Sequence, residues 1–197
     1  MSWYEFLLFV HISTAVIWVG GAAMLQVIAL RTTRNPDPMR LVEFGRDVEW
    51  IGNRVLVPSA LLAVVSGVWM VIDSDFIGFG DDWIVIGIVL FAITFLAGAL
   101  YFGPEAGRTG KLAAAEGPTP AVLEKLQRLL ALTRADLMLL FLIIFDMAVK
   151  PSWGDASLWI AVLVFAALAG LLVRNGLNTQ LAASRAPESP ELTPRAR

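Results

Sequence analysis

The placement of positive charge constrains the fold of this chain more than any other feature. Fourteen of its fifteen Lys and Arg residues lie on one side of five apolar stretches. An α-helix needs about 20 apolar residues to cross roughly 30 Å of hydrocarbon. Each apolar stretch approaches this length when it is extended to the polar residues on either side. The predicted spans are then about 4–30, 50–73, 82–103, 133–150 and 156–175. The pattern therefore predicts five transmembrane helices.

The same charges predict how these helices are oriented. Loops on the cytoplasmic side of a membrane protein carry an excess of Lys and Arg. With the N-terminus outside, Lys150 is the one basic residue on the outer side, and the outer loops hold Asp73, Asp75, Asp81, Asp82 and Asp155. The predicted fold class is an all-α membrane protein, a five-transmembrane-helix bundle with its N-terminus outside and its C-terminus cytoplasmic. The expected location is the cytoplasmic (inner) membrane.

The predicted organisation is one transmembrane domain over 1–182, followed by a disordered cytoplasmic tail over 183–197. The tail combines three prolines with scattered charges and offers little apolar surface to bury. A cytoplasmic helix at about 120–134 is expected to run on into the fourth span, with Thr119 as its N-cap and Pro120 at its first position. Its stripe of Val122, Leu126 and similar residues makes this helix amphipathic.

Small residues at four-residue intervals predict where helices pack. Ser59, Ala63 and Gly67 share one face of the second span, and close approach at small residues is what holds helices together in lipid. Pro58 in the same span cannot donate to the carbonyl of Arg54, so a kink is expected there.

Several classes of function are excluded by what the sequence lacks. With no cysteine, the chain cannot form a disulfide or an iron–sulfur cluster. No glycine-rich phosphate loop, His-rich metal cluster or Ser–His–Asp arrangement is present. The basic residues suit anionic lipid headgroups, so the bilayer is the expected partner. A membrane-protein partner or a homo-oligomer is possible in addition, and nucleic acid is not expected.

His11, the single histidine, is the main candidate functional residue. It lies about three turns into the first span, on a face that continues through Trp18. Ionisable residues inside a membrane are functional candidates by default, and a neutral imidazole is a good axial ligand for haem iron. The alternative is that His11 bonds a neighbouring helix and serves packing. Met147 and Met70 fall near the outer ends of their spans and could approach the same site.

Two polar pairs are predicted inside or beside the membrane. Asp146 and Lys150 are spaced i, i+4 in the favourable order for a helical ion pair. They form either a salt bridge at the helix end or part of an outer-leaflet site with His11. Arg54 and Asp136 both lie at inner ends of spans, and pairing would offset the cost of burying either one alone.

Three segments resemble a known group of membrane proteins. They read LLFVHISTAVIWVGGAAML, PSALLAVVSGVWM and FDMAVKPSWG. The first looks like the opening helix of the copper-resistance-D-like membrane proteins, with His11, Trp18, Gly20 and Gly21 in the matching positions. The other two look closest to one branch, the bacterial integral membrane proteins of domain-of-unknown-function family 2269. The resemblance covers nearly the whole chain except the tail.

The resemblance implies a small helical bundle in which the first-helix His faces inward. One set of relatives, the HemJ type of protoporphyrinogen oxidase, uses such a His with haem b and also a lysine within a later helix. The third span here contains no lysine, which argues against that oxidase activity. Another group of these relatives takes up copper and is expected to bind it through Met and His ligands. This chain has one His and a few scattered Met residues, which are poorly suited to conducting copper.

Three functions therefore remain open. The first is a haem-b-binding or redox membrane protein with His11 as axial ligand and Trp18 and Met147 as further candidate cofactor contacts. The second is a non-catalytic membrane subunit or assembly factor that uses the helix at 120–134, through Leu126 and Leu130, to bind a partner. The third is a small metal or porphyrin transporter that depends on Asp146.

Overall fold

The protein is a bundle of long helices. The structure, a computed structural model, describes the backbone of residues 2–33 and 37–184 and the side chains of these residues up to 177. Helices occupy nearly all of that part, which contains no strand. They are α1 Trp3–Thr33, α2 Pro38–Ile51, α3 Val57–Asp73, α4 Asp82–Ala97, α5 Gly103–Glu116, α6 Pro120–Val149 and α7 Ala156–Ser184.

Four continuous helical stretches of the described chain are long and apolar enough to cross a membrane: Trp3–Thr33, Pro38–Asp73, Asp82–Glu116 and Ala156–Leu177. They correspond to four of the five predicted spans. The remaining one, predicted at 133–150, lies within α6, whose apolar half carries Arg134, Asp136 and Asp146. Of the predicted tail at 183–197, residues 183 and 184 belong to α7, and the rest lies outside the described residues.

The π-helical turns that join α2 to α3 and α4 to α5 share one sequence pattern. The first covers Gly52–Leu56 and the second covers Gly98–Phe102. Each turn begins at a glycine that lies six residues before a proline, Pro58 or Pro104. Proline has no N–H to donate and its ring collides with the carbonyl four residues earlier. In a π-helical turn the backbone hydrogen bonds join residues five positions apart, and this wider turn leaves room for the proline ring. The chain therefore continues as one helix through each proline.

Three contacts show that α1 and the second half of α6 lie side by side along the bundle. At one end Trp3 meets Trp69 of α3 edge-to-face, and Lys150 lies over the Trp83 ring of α4. Towards the other end, Gln26 donates to Thr133 of α6. We call the first end, with the connections at 74–81 and 150–155, the loop end.

The opposite end is a small packed unit that we call the helical base: α2, α5 and the first half of α6, residues 120–133. Asp37 caps α2 by accepting from the Met39 and Arg40 N–H groups, and Thr119 caps α6 as predicted. The core of the helical base joins three helices through Leu41, Phe44, Leu126, Leu130 and Ala29. The apolar stripe of α6 is therefore covered by the chain's own α1 and α2, and Leu126 and Leu130 do not form a free surface for a partner.

Candidate functional site

His11 is held by a single well-defined hydrogen bond to the neighbouring helix. Its Nδ1 lies 2.7 Å from the carbonyl oxygen of Ala63 on α3. Because a carbonyl can only accept, Nδ1 carries the proton and the neutral ring has a bare lone pair on Nε2. A histidine that binds a metal is commonly oriented in this way, by a carbonyl on its other nitrogen.

The surface of α3 beneath the ring is made of small residues. A Cβ on Gly67 would lie 3.0 Å from Cε1 and 3.1 Å from Nδ1 of His11, so the ring occupies the space that this glycine leaves. The Ala63 carbonyl also accepts from Ser66 Oγ at 3.1 Å. The stripe of Ser59, Ala63 and Gly67 was predicted for helix packing alone. It also provides the surface on which the His11 ring lies, at Gly67, and the carbonyl that accepts its hydrogen bond, at Ala63.

The other nitrogen of the ring is open. His11 is half-buried, and its Nε2 has no hydrogen-bond partner among the residues that the structure describes. It can therefore act as a ligand without first breaking a hydrogen bond.

Trp18 and Met147, the other predicted cofactor contacts, both pack against α4. The Trp18 ring meets Phe91 edge-to-face at a centroid distance of 5.6 Å. The terminal methyl group of Met147 fills the space above Gly87, one turn away from Phe91. Both side chains thus join other helices to α4. Met70 is buried on α3.

The predicted ion pair between Asp146 and Lys150 is not formed. Asp146 is completely buried, and neither of its carboxylate oxygens has a hydrogen-bond partner in the described residues. Lys150 ends α6 in the left-handed conformation, with φ 51°, and its Nζ lies 4.8 Å from the centroid of the Trp83 ring. The prediction assumed helical backbone at both positions, and α6 ends before Lys150.

The predicted pair between Arg54 and Asp136 is also absent. Arg54 lies over the ring of Trp50, 5.7 Å from its centroid, and Asp136 Oδ1 is buried without a partner. The two ion pairs within residues 2–33 and 37–177 join Arg40 to Asp37 and Arg108 to Glu105, each between residues three positions apart.

The register of α1 against α6 places His11 and Asp146 at similar depth. Gln26 meets Thr133, and Asp146 lies 146 − 133 = 13 residues further along α6. The same 13 residues counted back from Gln26 on the antiparallel α1 reach Ser13. At 1.5 Å per residue, His11 lies only about 3 Å further along the axis. The bundle thus holds at one level an imidazole and a carboxyl that no hydrogen bond or ion pair joins.

One family model matches this chain: "Predicted integral membrane protein (DUF2269)", over residues 5–151. The match covers about three quarters of the sequence. The chain belongs to the DUF2269 family. No curated protein and no solved structure matches it. The matched range of this DUF2269 protein includes His11, Ala63, Gly67 and Asp146, and it ends before α7.

Some residues of the DUF2269 protein matter to the bundle and were not singled out from its sequence. Arg134 Nη1 donates to the Leu172 carbonyl at 3.3 Å, and Arg134 packs against Gly176, so it joins α6 to α7. Thr133 accepts from Gln26. No signal along the sequence pairs residues that are 38 and 107 positions apart.

The described residues of the DUF2269 protein contain no group of three His, Cys, Asp or Glu side chains that could hold a metal ion together. A bare metal ion is ordinarily held by three or more such ligands. A haem needs only one or two ligands from the protein, because the porphyrin supplies the other four. His11 offers one such ligand atom, its Nε2.

Proposed function

We propose that this DUF2269 protein is a multi-pass protein of the bacterial cytoplasmic membrane that binds haem b through His11. The observation that carries the proposal is the 2.7 Å contact between His11 Nδ1 and the Ala63 carbonyl. It fixes the tautomer, orients the ring and leaves Nε2 free to act as the axial ligand. Bound haem would supply one-electron redox chemistry.

The arrangement in the membrane is part of the proposal. Although the apolar half of α6 carries three charged residues, the contacts of this helix and its C-cap with α1 and α4 extend from Thr133 to Lys150. Its charged residues therefore need not face lipid, and we place α6 across the membrane as the fifth span. The charge pattern of the sequence favours the loop end outside.

Two features limit the kind of haem site. Trp18 and Met147 pack against α4, so His11 is the one residue of the predicted set that would hold the iron. The oxidase activity suggested by the wider resemblance is not part of the proposal. The third span lacks a lysine, and Lys150 lies at the end of α6 over Trp83.

The proposal is tested by absorption spectra of the detergent-purified protein, oxidised and dithionite-reduced, after reconstitution with haem. We expect the spectrum of haem b in the wild type and its loss in His11→Ala and His11→Gln. The glutamine amide can still donate to the Ala63 carbonyl, so His11→Gln removes the ligand and spares the helix contact. Thr14→Val on the same helix is the control and keeps the spectrum. A wild type that stays colourless after haem is added, or a His11→Gln spectrum like that of the wild type, excludes the proposal.

A second candidate is transport of a metal or porphyrin, and one observation favours it. Asp146 is completely buried without a partner, and unpaired carboxyl groups inside membranes commonly mark the pathway of a substrate or proton. The test is flux of zinc or of a fluorescent porphyrin into proteoliposomes. Flux that Asp146→Asn abolishes and Asp75→Asn leaves unchanged supports transport, and an equal flux in both variants excludes it.

A further inference from the structure

The connection between α3 and α4 presents a phenyl ring that the rest of the protein hardly touches. Phe76 in this connection is 94% exposed, more than any other large apolar side chain of the described residues. Phe79, three residues later, is exposed as well. Apolar surface left in water is unfavourable in proportion to its area, so a ring this open is expected to be covered by something outside the chain.

The connection is a built turn that holds the ring outward. On one side of it, the Ser74 hydroxyl oxygen accepts from the backbone N–H groups of Phe76 and Ile77, at 3.1 Å and 3.3 Å. On the other side, the Asp81 carboxylate accepts from the Gly78 N–H at 2.9 Å, and the Gly78 carbonyl accepts from the Asp81 N–H at 3.0 Å. The position of Phe76 is therefore fixed by hydrogen bonds of the connection itself.

The flanking helices place this turn at the surface of the bilayer. The stretches that end at Asp73 and begin at Asp82 are both long and apolar enough to cross a membrane. Trp69 lies one turn before the first end, and Trp83 directly follows the second beginning. Tryptophan side chains collect at the level of the lipid headgroups. Residues 74–81 therefore leave and re-enter the membrane at that level.

The apolar surface of α3 continues into the turn. Ile72, on the last turn of the helix, is exposed and would face lipid, and Phe76 follows it by four residues. The exposed carboxylates of Asp73 and Asp75 flank the ring and need a polar surrounding. The ring is therefore suited to the boundary between headgroups and acyl chains. Because residues 73–82 hold four Asp and no Lys or Arg, anionic headgroups repel the turn and zwitterionic ones suit it.

We propose that the connection between α3 and α4 anchors the protein to the membrane surface. Phe76 inserts into the leaflet at the loop end, where zwitterionic headgroups meet the acyl chains, and Phe79 lies at the edge of the same contact. The carboxylates of Asp73 and Asp75 stay in the headgroup layer. The anchor depends neither on haem nor on which side of the membrane the loop end faces.

The chain has no cysteine, so a single introduced cysteine can carry one nitroxide label. The labelled full-length protein is placed in phosphatidylcholine vesicles, and electron paramagnetic resonance measures collisions of the label with two reagents. Oxygen concentrates in hydrocarbon, and a nickel chelate stays in water. We expect the label at Phe76→Cys to collide mainly with oxygen, as a label at Ile72→Cys on lipid-facing α3 should. A label at Asp75→Cys, the next residue along the turn, should collide mainly with the chelate.

A label at Phe79→Cys tests the anchor with the Phe76 ring in place. Adding Phe76→Ser should lower the ratio of lipid-facing to water-facing label about tenfold, because burial of the phenyl ring is lost. Adding Asp75→Ser is the control and should leave the ratio unchanged.

Three results would overturn the proposal. The chelate reaches the Phe76→Cys label as readily as the Asp75→Cys label, or the Phe76→Cys label is shielded from both reagents, which would mean that a second protein surface covers the position. The third is a Phe79→Cys label that Phe76→Ser does not move. This last measurement keeps the native ring in its reference protein, so it decides the matter even if Phe76→Cys does not fold.

Discussion

Asp146 lies on the last turn of α6 and Lys150, four residues later, caps the end of that helix, yet the two side chains have different neighbours. The carboxylate is enclosed beside Gly87 of α4, and the ammonium group lies over the Trp83 ring of the same helix. The cause is the left-handed backbone at Lys150, φ 51°, which turns the chain away from the axis of α6. The buried carboxyl therefore has no counter-charge on its own helix.

An unpaired buried carboxyl should destabilise the bundle. Leucine has the same branched shape as aspartate and no polar atoms, and replacing an unsatisfied polar group by an apolar one of the same shape is neutral or stabilising. We expect Asp146→Leu to stabilise the protein by about 1–3 kcal/mol, measured by thermal unfolding in detergent. Asp75→Leu, at an exposed loop position, is the control and should change stability by less than about 0.5 kcal/mol. Destabilisation by Asp146→Leu would mean that the carboxyl has a partner in the membrane.

The end of α6 gives a second prediction, in which two effects oppose each other. Left-handed backbone costs a residue with a Cβ roughly 1–2 kcal/mol, and the contact with Trp83 is worth about 0.5–1 kcal/mol at an exposed site. Lys150→Ala keeps the strain and loses the contact, so it should destabilise. Lys150→Gly loses both and should be the more stable of the two variants by about 1 kcal/mol. Equal unfolding temperatures for the two would contradict the left-handed assignment.

The helices of this protein could be predicted from its sequence because their signals are local. The apolar runs define α1, α3, α4 and α7, and the start of α6 follows from Thr119 and Pro120. The interval between Ser59, Ala63 and Gly67 predicted a packing face that the structure shows in use.

The side-chain partners could not be predicted in the same way, because they depend on which helices become neighbours. Arg54 stacks on Trp50 of its own helix rather than pairing with Asp136. Leu126 and Leu130 look like a free stripe along the sequence, and only the position of α2 buries them. His11 was a candidate from its chemistry alone, but its acceptor lies 52 residues away.

The contact between Gln26 and Thr133 predicts energetic coupling between α1 and α6. The amide donates to the hydroxyl at 2.7 Å, and Gln26 Oε1 remains buried without a partner. Side-chain hydrogen bonds between membrane helices average about 0.6 kcal/mol. We expect a double-mutant cycle of Gln26→Leu and Thr133→Val to give a coupling energy of about 0.5–1 kcal/mol. Additive effects would show that the bond is not formed in the membrane.

Gly87 should be intolerant of a side chain. A methyl group there would overlap the terminal methyl of Met147 and lie 3.0 Å from Asp146 Oδ2. Overpacking of this kind costs about 1–3 kcal/mol, so Gly87→Ala should lower the unfolding temperature. Because the end of a methionine is flexible, adding Met147→Ala should recover part of the loss. Gly98→Ala, where nothing lies within 4 Å, is the control. A Gly87→Ala protein as stable as the control would show that α4 and α6 are less closely packed.

Substitution of Gly67 is the sharpest test of how the histidine is held, because it changes the α3 surface under the imidazole ring without replacing the histidine. A Cβ there would lie 3.0–3.1 Å from the imidazole, so in Gly67→Ala the ring must shift and its bond to Ala63 lengthens. We expect destabilisation by about 1 kcal/mol, the net worth of a typical hydrogen bond, and a displaced imidazole resonance in the NMR spectrum of the labelled protein. Gly20→Ala, on α1 with nothing within 4 Å, should change neither. If Gly67→Ala leaves the imidazole resonance of His11 where it is in the wild type, the ring does not rest on α3, and the observation behind the proposed role of Nε2 is lost with it.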